Sequence, residues 1–485
     1  MRNLLILFTL ITIIFSCKKE ENLNFSGNLN FSNDTILFDT IFSSIGSTTK
    51  TLTIYNNQNQ NVVTNIELKG SSSANFRINV DGVSGDMHKD IIIPANDSIF
   101  IFIEVTINPS SSNTPYVLSD SLVFYSENYM QAVKLVAWGQ DAYFHTANTY
   151  GEIINNSDTT KFYYHQIGCN EIWNDDKPHV IYGYAIIDPN CQLTINGGAN
   201  IYLHSNSGII VGNPFLNQNG GTLKVNGSLG NEVTFQGDRL ESWYNDIPGQ
   251  WDRIWLIPGS INNEINYAII KNGTIGIHVD TVANNNPSLT INNTVIKNMS
   301  SIGLLGQGAK IKMSNSLITK CGQYTLACNI GGDYSFNHCS FINYWNYSYR
   351  NTPSILLNNY YEDIDGNIQI RELKNAYFGN CIIYGSLSTE VSFQKNNSGL
   401  YNYMFDHCLI KITEDTSSSN FNNCIINLDP YELEEIANNN FELLQGSPAL
   451  NNGSYQISLD NNNVSDINNI LRNNPPDLGL YESNF

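Results

Sequence analysis

The chain has 485 residues, 24 of them Lys or Arg and 44 Asp or Glu, for a formal net charge of −20. That length predicts two or three domains. Phosphate recognition needs clustered Lys and Arg, so the acidic balance argues against a nucleic-acid partner.

At the N-terminus Arg2 precedes an apolar run from Leu4 to Phe15, too short to span a bilayer, that ends in Phe15-Ser16-Cys17. This reads as a signal peptide over 1–16 with a cysteine at the cut. The arrangement resembles the lipobox of bacterial lipoproteins. The resemblance implies a lipidated Cys17 as the first mature residue, a tether over 17–25 and a membrane anchor, since two acyl chains suffice for stable attachment. Lys18-Lys19-Glu20-Glu21 is similar to the charged tag of surface-exported lipoproteins of the Bacteroidetes, which implies an outer-membrane location facing the cell exterior.

Residues 26–141 carry short alternating runs about every ten residues, among them Thr35 to Phe42, Phe76 to Val80 and Ser98 to Ile107. Runs of that length broken by Asn, Gly and Ser turns predict a β-sandwich. The phrases Asp39-Thr40-Ile41-Phe42 and Val136-Ala137-Trp138-Gly139 resemble the immunoglobulin-like module of the abnormal-spindle and Hydin type, which implies a spacer or protein-binding role. Residues 142–180, aromatic and polar with Trp173, Asp175 and Asp176, are expected to be a linker and N-terminal cap.

Residues 181–430 are expected to form a right-handed parallel β-helix, so the chain is predicted all-β. One phrase returns there: Asn293-Thr294-Val295-Ile296, Asn315-Ser316-Leu317-Ile318, His338-Cys339-Ser340-Phe341, Asn380-Cys381-Ile382-Ile383, His407-Cys408-Leu409-Ile410 and Asn423-Cys424-Ile425-Ile426. The first steps are 22 and 23 residues and the next is 42, about two periods with an insertion. A fixed period of this length means stacked coils. Equivalent side chains about 4.8 Å apart would then form an inward ladder of Thr294, Ser316, Cys339, Cys381, Cys408 and Cys424, and a second of Ile296, Ile318, Phe341, Ile383, Ile410 and Ile426. The Asn and His positions read as turn residues, because Asn tolerates left-handed backbone. A metal site at His338 and His407 is the lesser reading. Trp251-Asp252-Arg253-Ile254-Trp255 and Ile265-Asn266-Tyr267-Ala268-Ile269 make the region resemble pectin-lyase-like β-helix proteins, a likeness that implies fold and says little of activity.

Stacked cysteines on one face point the same way, so buried thiols are expected, with Cys169 and Cys191 the exception that suits a disulfide. Residues 431–485 lose the period. Phe441-Glu442-Leu443-Leu444 with Asp477-Leu478-Gly479-Leu480-Tyr481 resembles the C-terminal element of choice-of-anchor Q β-helix proteins, and a cap is expected because a last coil leaves an unpaired edge.

For chemistry, β-helix hydrolases of the polygalacturonase type carry Asn-Thr-Asp, Asp-Asp, Gly-His-Gly and Arg-Ile-Lys in order. Here the only Asp-Asp, Asp175-Asp176, precedes the coils and the other three are absent. A polysaccharide lyase acting on an acidic glycan needs less sequence, and Asp238, Arg239, Asp246, Asp252 and Arg253 are its candidates; solvated loop charge is the competing reading. The insertion with Tyr344, Trp345, Tyr347, Tyr349, Arg350, Tyr360 and Tyr361 suits carbohydrate, since a sugar packs its C–H face on a ring while its hydroxyls need directed hydrogen bonds. Asp363 and Asp365 within it form a partial calcium loop without the full ligand set, so no cofactor is required and Ca²⁺ is the one candidate. These residues predict binding to a polysaccharide or cell-surface glycan, or adhesion, ahead of a lyase and of a structural surface protein. The oligomeric state is open.

Overall fold

A computed structural model describes residues 23–24, 28–43, 46–108, 116–126, 129–155, 158–216, 220–280, 286–432, 435–436 and 440–483. The signal segment, Cys17 and the charged tag lie outside them. The chain divides between Asp141 and Ala142 into two compact units.

In the first unit, alternation decides which face is buried. Along Asp97–Val105, Ile101, Ile103 and Val105 are buried while Phe100 and Phe102 face outward. One sheet runs in the order Leu23–Asn24, Asn61–Lys69, Tyr116–Ser126, Tyr129–Gln140, Thr35–Phe42, with Met87–Ile93 also on Asn61–Lys69. A second joins Asn30–Phe31, Lys50–Asn56, Asp97–Val105, Phe76–Val80 and Val83–Ser84. Leu52, Ile54, Phe76 and Ile103 of the second pack with Phe38, Ile66, Phe124 and Leu135 of the first, which is the β-sandwich the alternation predicts.

The second unit is a parallel β-helix of three walls, with most coils giving one strand to each and the last two giving none to the second. The first wall includes Ala268–Lys271, Val295–Met299, Leu317–Cys321, Ser340–Asn343 and Ile382–Gly385; the second Ile275–Asp280, Ile302–Gln307, Leu326–Asn329 and Ile355–Asn358; the third Leu289–Asn292, Lys310–Ser314, Gly332–Asn337 and Leu373–Gly379. The predicted ladder is the observed register: Ile296 pairs with Ile318, Ile318 with Phe341, Phe341 with Ile383, Ile383 with Ile410 and Ile410 with Ile426. The turn residues before it, Asn293, Asn315, His338, Asn380, His407 and Asn423, all have φ between 45° and 52°. In that conformation the backbone N–H of each of the first five points along the stack, as when Asn293 donates to Ser314 O and Asn380 to Asp406 O. Thr294, Ser316, Cys339, Cys381 and Cys408 are fully buried, and Cys424 is half-buried at the last coil. Cys169 and Cys191 form a disulfide. On the third wall Phe336, Phe378, Phe405 and Phe421 stack with centroids 5.0, 4.8 and 5.3 Å apart.

Two expectations about the ends change. Residues 142–180, read as linker and cap, supply Tyr143–His145, Asp158–Gln166 and Glu171–Trp173 to the three walls, so the solenoid begins there. Few of these positions are aliphatic, which hid the period; the first coil is instead filled by His145, Trp173 and His179, stacked at 4.3 to 5.2 Å. His145 also contacts His165 at 3.3 Å and His179 at 3.0 Å. The C-terminal segment does not lie only over the last coil. Tyr431, Phe441, Leu443, Ala449, Ile467, Leu478 and Leu480 form a strap on the outer face of the first wall, against Leu317, Ile342, Ile382 and Leu409. The cause is an apolar outward row, Val295, Leu317, Ile382, Leu409 and Ile425, interrupted by Ser340. His338 serves this strap, holding Ser458 Oγ at 2.8 Å and Gly479 O at 3.3 Å, while His407 pairs with Asp406 at 2.8 Å. Among the described residues no group of three or more His, Cys, Asp or Glu could hold a metal ion.

Candidate functional site

The turn from first to second wall is built by Asn272, Asn298 and Lys320 on successive coils, with φ of 68°, 56° and 51°. The buried amides of the two asparagines hold a loop against this corner. Asn272 Nδ2 donates to Asn245 O at 2.8 Å, Asn298 Nδ2 to Asp246 Oδ1 at 3.1 Å, and Gln250 Nε2 ties down Tyr244 O and Ile247 O. Arg239 lies over the Tyr244 ring at 3.9 Å. Two stretches far apart in sequence meet here, because the Tyr347 hydroxyl donates to the Asp246 carbonyl.

Three lysines rise along the corner. Lys271 and Lys297 are register partners, and Lys320 follows one coil on. Burial lowers the pKa of Lys271 and of Lys320, Lys297 adds repulsion to both, and Asp246 pulls both back up. Three lysines thus share one corner with a single facing carboxylate, Asp246. Two exposed rings belong to this corner: Trp243, at 77% of full exposure in the loop that Asn272 holds, and Tyr347, at 44%, on the Asp246 carbonyl. Trp345 is half-buried over Gly322, 5.2 Å from the Tyr347 ring, with its indole N–H on Ser348 Oγ at 2.9 Å.

The predicted aromatic face is not one patch. Arg350 is a correction: its guanidinium is buried in a two-point ion pair with Glu390, at 2.7 and 2.9 Å, and also holds Thr352 O and Asn343 O. Where the chain leaves and rejoins the stack its carbonyls need donors, and Arg350 supplies them, so it cannot meet a ligand. Tyr344 is likewise turned toward the strap cluster. Tyr360 and Tyr361 lie beyond strand Ile355–Asn358, at the opposite corner, on a hairpin of Tyr360–Glu362 with Ile368–Ile370.

The predicted charged candidates each have a private partner. Asp238 accepts from His204 at 2.7 Å, and Arg239 makes two bonds to Glu241, at 2.9 and 3.1 Å. Asp252 accepts from the Tyr184 hydroxyl and from Arg253 Nε. Arg253 continues to His278 Nδ1 at 3.3 Å, and His278 Nε2 to Gln307 Oε1 at 2.7 Å. Burial and the adjacent Arg253 lower the His278 pKa, so the imidazole is neutral with both nitrogens engaged. This chain of bonds braces the second wall.

Asp363 caps its own hairpin, accepting from Asn367 N at 2.9 Å, Asp365 N at 3.1 Å and Gln369 Nε2 at 2.8 Å. Those donors, Asn367 first, hold its carboxyl below the usual range. Capping this hairpin is thus the first task of the Asp363 carboxylate.

No family model and no curated protein matches the chain. Among solved structures it is similar to a family 123 glycoside hydrolase from Clostridium perfringens, at 9% identity over 24% of this chain and 30% of that one, with a TM-score of 0.19. A protein of unknown function from Porphyromonas gingivalis W83 matches at 8% identity over 28% of this chain and 80% of that one, with a TM-score of 0.18. Likenesses this partial carry no argument about activity.

Proposed function

We propose that the protein is an exported lipoprotein, anchored at the outer membrane through Cys17, whose β-helix binds an acidic glycan at the corner of Lys271, Lys297 and Lys320. The observation that carries this reading is the lysine row at the corner where the loop with exposed Trp243 is held and Tyr347 reaches Asp246 O. Carboxylate or sulfate groups of a glycan would neutralise the row, and sugar faces would pack on the rings. The test is titration calorimetry with acidic and neutral oligosaccharides on the wild type and on a Lys297→Ala, Lys320→Ala variant. Losing two charge contacts should weaken the acidic ligand by about tenfold or more and flatten its salt dependence. Unchanged affinity in that variant removes the assignment. The lowered pKa of Lys320 favours a second reading, a lyase in which this amine takes a proton from an acidic sugar. Ultraviolet absorbance from an unsaturated product would distinguish it from binding alone.

A further inference from the structure

At the opposite corner, between second and third walls, the chain keeps a costly backbone. Ile330, Gly331 and Gly332 have φ of 59°, 71° and 128° in succession. Glycine accepts such angles freely, but a β-branched residue does so only where its surroundings enforce it, and such strain gathers at ligand sites. The enforcement is visible: Ile330 N donates to Asn329 Oδ1 and Asn358 Oδ1, Gly331 N to Asn358 O, and Gly332 N to Glu372 O. Over this floor stands the hairpin of Tyr360–Glu362 and Ile368–Ile370, and between them is a groove of about 520 Å³.

The groove's chemistry limits its occupant. Arg371 lies 5.5 Å from the Tyr361 ring centroid, giving a flat apolar surface edged by N–H donors. Asp280, Asp333 and Glu372 bring negative charge, Arg371 and Lys374 positive, and Asp333 is already paired with Lys310 at 3.1 Å. An anionic ligand meets carboxylates and a cationic one meets Arg and Lys, so neither charge is favoured. Gln307 lines the groove, and because its Oε1 accepts from His278 Nε2 its amide has N–H groups left to donate. A ring face with planar donors and acceptors at its edge matches an uncharged pyranose, whose vicinal hydroxyls donate to carboxylates and accept from guanidinium and amide.

We propose that the groove between Ile330 and the Tyr361–Arg371 hairpin binds a neutral pyranose unit, as a site separate from the lysine corner. The experiment is saturation-transfer NMR with methyl glycosides of glucose, galactose, mannose and N-acetylglucosamine. It is run on the wild type, on Tyr361→Ala and Arg371→Gln, and on Lys297→Ala as a control at the other corner. At least one glycoside should show transfer to its ring protons, with affinity reduced about tenfold in each hairpin variant and unchanged in the control. Arg371 is exposed, so its variant removes donors without removing core packing. Absence of transfer from every glycoside overturns the proposal, as does full transfer to both hairpin variants. Failure of acidic binding at Lys297 would leave it standing, because the two sites share no residue.

Discussion

Arg350 and Glu390 show how a residue's type can mislead about its role. An arginine among tyrosines reads as a ligand contact, yet both side chains are almost wholly buried, and Glu390 also accepts from Ser354 N, Ser354 Oγ and Leu387 N. Removing one partner strands the other charge in the interior. Arg350→Ala should therefore cost about 3–5 kcal/mol, measured by urea unfolding, and a loss below about 1 kcal/mol would contradict this account. The turn residues were legible, because left-handed backbone favours Asn and His, which fill all six aligned positions. Ile330 was not legible: nothing in its type marks it as left-handed, and only the bonds from Asn329 and Asn358 enforce it. Replacing Ile330 with Asn should raise the melting temperature slightly, by relief of strain of order 1 kcal/mol, while the hairpin pairing stays intact. Calorimetry of that variant checks it.

At the scale of elements, the repeat gave coil positions and inward ladders because period and burial coincide. The strap was legible in principle and was missed. A free outer face calls for polar residues at the third position of each repeat, and Val295, Leu317, Ile382, Leu409 and Ile425 are apolar. Only Ser340 is small and polar, and there Gly479, at φ 84°, comes so close that a Cβ would lie 2.6 Å from Ser340 Oγ. Gly479→Ala should thus lower stability by about 1–3 kcal/mol and expose Leu317 and Ile382 to solvent, seen as faster hydrogen exchange on the first wall. The lysine row was also present in the sequence, as Ile270-Lys271-Asn272 and Ile296-Lys297-Asn298. Its meaning depended on the loop from Arg239 to Gln250 folding onto it, which no local pattern announces.

Across the whole molecule, the solenoid's stability should depend on pH at its two tied places. Burial holds His145 near 3 and His179 near 4, and burial with Arg472 nearby lowers His338 further than ordinary histidine. All three are neutral when folded and take up protons near 6.5 when unfolded. The unfolded state therefore binds more protons below that value, so stability is complete above about pH 6.5 and is lost as pH falls toward 4. The melting temperature should drop between about pH 7 and about pH 5, and His145→Gln with His179→Gln should flatten the drop. A melting temperature independent of pH would contradict the assignment. The strap has a further meaning for how the molecule is made. Synthesis runs from the first coil to the last, so every completed coil presents its apolar outer row before residues 431–483 exist to cover it. A nascent chain is in this sense sticky until residues 431–483 arrive, and a copy interrupted before them keeps that stripe open to chaperones and proteases.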